Sequence, residues 1–122
     1  MEFKRQSIAM LAAKFQPQDI AWRTGQTTRD NKKVLLFPYI TARAVMDRLD
    51  AVVGPENWTD DYSVSPMGKG IECRISIFFD EKEWVTKVDG APQTQFEAVK
   101  GGYSDSFKRC AVKWGIGRYL YN

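Results

Sequence analysis

Lys108, Arg109 and Lys113 stand close together near the end of the chain, with Arg118 just beyond them. On a helix the three would point away from the apolar stripe that runs through Phe107, Cys110 and Trp114, and only Asp105 offsets their charge on that side. A row of fixed cations beside a sheet can follow a chain of phosphates, although an ordinary solvated face gives the same spacing. Arg43 falls in the first turn of a predicted helix, where the macrodipole disfavours a cation. Its candidate partners are a phosphate and Asp47, one turn on. Arg29, Lys32 and Lys33 cluster at a predicted hairpin tip, either as a clamp on a polyanion or as plain solubilising charge. Trp22, Arg23 and Tyr39 interleave aromatic and basic side chains on the hairpin strands, a mixture that can stack bases where it does not serve the core.

Other chemistries have little to work with. The chain has no histidine, which removes the commonest general base and every Ser-His or Cys-His dyad. Its two cysteines, Cys73 and Cys110, are far apart and lie in apolar-periodic segments, so they read as buried thiols rather than zinc ligands. Asp60 and Asp61 are neighbours on a predicted strand and diverge to opposite faces, while Asp80, Glu81 and Glu83 sit in a turn; neither group suits a two-metal nuclease. Gly68-Lys69-Gly70 lacks the frame of a phosphate-binding P-loop. No catalytic residue, metal site or cofactor is expected, and the chain is not read as an enzyme.

The elements that must position these residues follow from periodicity. Ile8, Leu11, Ala12 and Phe15 predict a helix over 4–15, stopped near Pro17. Two strands, 20–27 and 34–40, flank the turn-compatible Asp30-Asn31 and predict a hairpin, with Pro38 marking an edge or a bulge. Thr41 is placed to cap a helix over 42–53, whose inner face would carry Val45, Leu49 and Val52 with Met46 and Val53 beside them, and Gly54-Pro55 to end it. Strands over 58–65, 71–79 and 84–90 form a meander, with turns at 66–70 and 80–83, and Phe78 breaks the alternation of the middle strand. Phe96, Val99, Tyr103, Phe107, Cys110 and Trp114 then trace one stripe of a long amphipathic helix, interrupted by Gly101-Gly102. The predicted class is α+β: an antiparallel sheet, made of a hairpin and a three-stranded meander, with helices on one side and a long amphipathic C-terminal helix completing a β-β-β-α core.

The bulk properties fit one globular domain. The 122 residues carry a formal charge of +3, with 43% hydrophobic and 27% charged side chains. No run approaches a membrane span, and the N-terminus lacks the pattern of a signal peptide, so the default location is cytoplasmic.

Two stretches, YITARAVMDRLDAVVGPENW at 39–58 and KGGYSDSFKRCAVKWGIGRYLY at 100–121, resemble the Rad-fifty-two-type single-strand annealing proteins, with their bacterial DdrA and phage relatives. The order hairpin, helix, meander, helix fits as well, and the resemblance covers roughly residues 15–121. It implies side-by-side assembly into rings or helical filaments. It further implies single-stranded DNA in a basic groove around the outside, with the backbone held inward and the bases presented for pairing, without nucleotide hydrolysis. Lys108 and Arg109 match the family's groove Lys-Arg pair, Lys100 an earlier basic position, and Arg43 a groove arginine offset by one place. A third basic position of the eukaryotic pattern falls on Val112 here, with Lys113 next door as the candidate substitute. The DNA-binding set expected is therefore Arg43, Lys100, Lys108, Arg109 and Lys113, with Arg29, Lys32 and Lys33 at the hairpin tip.

The expected function is ATP-independent annealing of complementary strands in recombination and double-strand break repair, in a bacterial nucleoid or a phage-infected cell. The expected partners are single-stranded DNA, further copies of the chain, and a single-strand binding protein or recombinase. Residues 1–122 are read as one annealing domain, either a truncated piece or a minimal family member. A monomeric module for double-stranded nucleic acid is the alternative, and a protein-interaction scaffold a third.

Overall fold

The computed structural model describes residues 5–64, 70–92 and 98–121, without the side chains of Arg5, Gln6, Gln26 and residues 98–101. Its centre is strand β4 (Gly70–Phe79), in which Ile71, Cys73, Ile75, Ile77 and Phe79 are buried and the residues between them half-buried. That alternation makes β4 the middle of an antiparallel sheet, flanked by β3 (Trp58–Val64) and β5 (Glu83–Pro92). Phe78, the exception to the pattern, meets its register partner Trp84 on the other face, with ring centroids 5.2 Å apart. The expected turn over 66–70 falls mostly outside the described residues.

Helices cover the inner face. Thr41 caps α1 (Ala42–Val52), its hydroxyl accepting from the Ala44 N–H at 3.1 Å. Val45 and Leu49 point into the core with Val53, whereas Met46 is left exposed. Gly54 then turns the chain at φ 95°, a left-handed conformation that suits glycine. Helix α2 (Ala98–Lys113) lies across β4 and β5 and runs through Gly101-Gly102. Side chains are described only from Gly102 onward, so of the expected long amphipathic stripe just Tyr103, Phe107, Cys110 and Trp114 can be placed. The last three are buried and Tyr103 is exposed. Two bonds fix the end of α2 to the sheet: Cys110 Sγ donates to the Lys87 carbonyl at 3.0 Å, and Trp114 Nε1 to the Ile75 carbonyl at 3.1 Å. Cys73 and Cys110 are both free and fully buried, as expected, and their mutual hydrogen bond together with burial pushes the Cys73 thiol well up.

The N-terminal segment departs from prediction. Instead of an α-helix over 4–15 it forms a 3-10 helix, Arg5–Ala12, followed by a bend and irregular chain to Phe15. Three residues per turn suffice to stack Ile8 above Leu11, and Ala12 stays exposed. Pro17 opens a further short turn, Pro17–Asp19.

Strands β1 (Ile20–Thr27) and β2 (Val34–Ile40) form a separate two-stranded hairpin. The register slips between Thr24 and Thr27 in β1, so Pro38, which pairs with Trp22, marks an edge strand rather than a bulge. Gly25 lies in that slip, where a Cβ would overlap the Phe37 ring. At the tip, the Thr28 hydroxyl and the Lys32 N–H donate to the Asp30 carboxylate and hold it below its usual range.

Candidate nucleic-acid interface

On α2 the buried residues Phe107, Cys110 and Ala111 face the sheet. Helical spacing then gathers Asp105, Lys108, Arg109 and Val112 onto another face, one or two turns apart. In the hairpin, Arg23 is paired with Phe37 and Ala21 with Tyr39, so Arg23, Phe37 and Tyr39 share one side. That side looks across at the Lys108 face. Together they bound a cleft of about 780 Å³, which Asp89, Leu120 and Tyr121 also line.

The cleft mixes charge with aromatic surface. Lys108 is half-buried, with its ammonium 5.0 Å from the centre of the Tyr39 ring. Burial pushes this ammonium below its ordinary value, Asp105 pulls it back up, and Arg23 pushes it down again. The Arg109 Nε lies 3.5 Å from a carboxylate oxygen of Asp105, and both side chains are about half exposed. Burial raises the Tyr121 hydroxyl, with Asp105 adding to the rise and Arg23 and Arg109 opposing it. Tyr121 is delivered by a terminal 3-10 turn, Arg118–Tyr121, whose first residue ties it to α2. The Arg118 Nε and NH2 groups both donate to the Val112 carbonyl, at 3.0 and 2.7 Å, and NH2 also reaches the Lys113 carbonyl at 3.0 Å. Arg118 therefore caps the helix end. Arg23, Lys108 and Arg109 are thus three cations fixed in one aromatic-walled channel, which suits phosphates with neighbouring bases.

A protein-family model described as Rad52/22 family double-strand break repair protein matches residues 4–122. The chain belongs to that family. Two curated relatives of the Rad52/22 chain are single-stranded DNA-binding proteins DdrA. The one from Deinococcus deserti is 37% identical over 114 residues, covering 92% of this chain and 55% of the relative. The one from Deinococcus radiodurans is 36% identical over 117 residues, covering 92% and 53%. The chain therefore spans about half the length of the curated relatives it matches. No solved structure matches it significantly.

The Rad52/22 chain brings together only part of the predicted basic set. Lys108 and Arg109 line the cleft. Lys113 is exposed on the last turn of α2, off the cleft face. Arg43 lies elsewhere, in a depression of about 200 Å³ shared with Gln18, Asp19 and Asp47, so it does not join the Lys-Arg pair within one subunit. Arg29, Lys32 and Lys33 are exposed at the hairpin tip and contribute nothing to the cleft lining. The Lys100 side chain is outside the described residues. Tyr121 was missing from the predicted set, and Arg23, singled out with Trp22 and Tyr39 by the mixture of aromatic and basic residues on the hairpin strands, was not carried into it. Trp22 itself is 60% exposed on the hairpin's outer face rather than in the core.

The acidic pairs are occupied locally. Asp61 accepts from Arg74 at 3.1 Å, and the Tyr62 hydroxyl donates to Asp60 at 2.7 Å. Among the described residues no group of His, Cys, Asp and Glu is arranged to hold a metal, and no helix is long and apolar enough to cross a membrane.

Proposed function

We propose that this domain binds single-stranded DNA in the cleft between the hairpin and α2 and promotes annealing of complementary strands by assembling many such clefts side by side. The convergence of Arg23, Lys108 and Arg109 beside Tyr39 and Tyr121 is the observation that carries the reading. Lys100, Lys113, Arg43 and the hairpin tip would extend the basic path beyond one cleft. Each phosphate neutralised releases counterions, so binding weakens steeply with salt. One cleft offers few contacts, and repetition along a strand multiplies them. Assembly is supported by the apolar surface left on the hairpin, where Trp22, Leu35, Leu36 and Phe37 are 45–60% exposed. The outer edges of β3 and β5, unpaired among the described residues, support it too. Annealing of this kind is preorganisation of bases and uses no nucleotide hydrolysis. The site of action is the cytoplasm, in recombination and the repair of double-strand breaks.

The test is binding of a fluorescent single-stranded oligonucleotide against its duplex at two salt concentrations, with the mass of the assembly measured on the same sample. Salt-sensitive preference for single strands by a large oligomer is expected. Duplex preference by a monomer would overturn the reading and favour a double-stranded nucleic-acid module.

A further inference from the structure

We infer that Asp105 is a resident counter-ion of the cleft, holding Arg109 until a phosphate displaces it and so limiting how tightly one subunit grips a strand. The inference rests on the reading of the cleft as the single-strand site and adds to it a residue that sets affinity and release.

Asp105 sits one turn before Arg109 with its carboxylate 3.5 Å from the guanidinium Nε. The side chains are 47% and 54% exposed, respectively. An ion pair this open to solvent is weak and easily exchanged. The same carboxylate acts on the other groups of the cleft: it favours the charged form of Lys108 and disfavours ionisation of Tyr121, in both cases against Arg23. Asp105 thus lies among the cations rather than at their margin. The helix does not depend on it, since the end of α2 is held by the Trp114 and Cys110 bonds to the sheet and by Arg118.

A carboxylate in that place opposes the ligand. A phosphate approaching Arg109 must break the pair and then sit beside the carboxylate it displaced, and a neutral side chain there would bind phosphate more tightly. The free cleft is correspondingly protected from its own cations, and from isolated phosphates that bring no neighbours. A long strand overcomes the opposition through many subunits at once, whereas a single cleft lets go readily. Release matters for annealing, because a duplex that never leaves blocks the next pairing.

Asp105→Asn removes the charge and keeps the shape. At matched ionic strength its affinity for a labelled oligothymidylate should rise about five-fold over wild type, through slower dissociation. Asp105→Ser should move the same way, and thermal melts establish that both fold. Asp61→Asn, which makes the same change in net charge on the sheet, should leave the affinity where it was. Unchanged or weaker binding by both Asp105 variants overturns the inference alone, and so does equal tightening by Asp61→Asn. A wild-type chain that does not bind single strands overturns the functional reading, and the inference falls with it.

Discussion

On α1, Arg48 turns its guanidinium back onto the chain, donating to the carbonyls of Leu11, Ala13 and Lys14 at 2.9, 2.6 and 3.4 Å while lying 3.9 Å above the Phe15 ring. On α2, Arg109 instead faces a cleft and meets a half-exposed carboxylate. Both are arginines on the outer part of a helix, and the two helices share one core. The first is an organ of folding, since it satisfies carbonyls that the end of a 3-10 helix leaves without partners. The second keeps most of its hydrogen-bonding capacity for something that arrives. Burial lowers the Arg48 pKa, partly offset by Tyr119 and Asp19, as befits a cation committed to protein groups. Arg118 belongs with Arg48, and Arg23 and Lys108 with Arg109. What separates the cations proposed to bind from the structural ones here is where their donors already point, not how many cations share a surface.

Breaking the cleft side of this contrast has the largest expected effect. The double substitution Lys108→Ala, Arg109→Ala should lower single-strand affinity by about 100-fold, or roughly 2.8 kcal/mol, with an unchanged melting curve. Its slope of affinity against salt should be shallower, which a titration series measures directly. Next comes Arg48→Ala, which should cost about 2 kcal/mol of stability in a denaturant melt through the carbonyls it strands, yet leave the affinity of the folded protein unaltered. Smallest is Arg118→Ala, expected to lower stability by less than about 1 kcal/mol. Because Arg118 holds the turn that carries Tyr121, a modest loss of binding should accompany it, and a calorimetric melt paired with anisotropy separates the two. A wild-type melt for Arg48→Ala, or a collapsed one for the Lys108 and Arg109 double variant, would erase the distinction.

Much of the fold was legible because its signals are local. The alternation of β4, the Thr41 cap, the Gly54 stop and the hairpin ends each depend on a few neighbouring residues, and each stands where the sequence puts it. The N-terminal helix was misjudged because Ile8 and Leu11 satisfy a three-residue repeat as readily as an α-helical one. The cleft was half legible. Lys108 and Arg109 come from a motif on one helix, but Arg23 and Tyr121 join them only because the hairpin and the terminal turn fold over that helix. Tyr121 has no periodic neighbour to announce it, and although the mixture of aromatic and basic residues draws attention to Arg23, β1 and β2 expose apolar residues on both faces, so alternation there says nothing about which side is used. Arg43 shows the converse, a residue singled out on its own helix that the tertiary fold places in a different depression.

The two ends of the described chain are fastened to each other. The Phe15 N–H donates to the Tyr119 hydroxyl at 2.9 Å, and Leu11 and Phe15 share the core with Trp114 and Ile116. During synthesis the segment around Leu11 emerges well before Trp114 and Ile116, the residues that cover it. The early apolar residues must therefore wait, uncovered, while the hairpin and the meander emerge. Native closure then depends on long-range contacts, of the kind that fold slowly and tempt a nascent chain to find a substitute partner. For a protein proposed to work as an assembly of copies, that interval is when neighbours on one messenger are closest together.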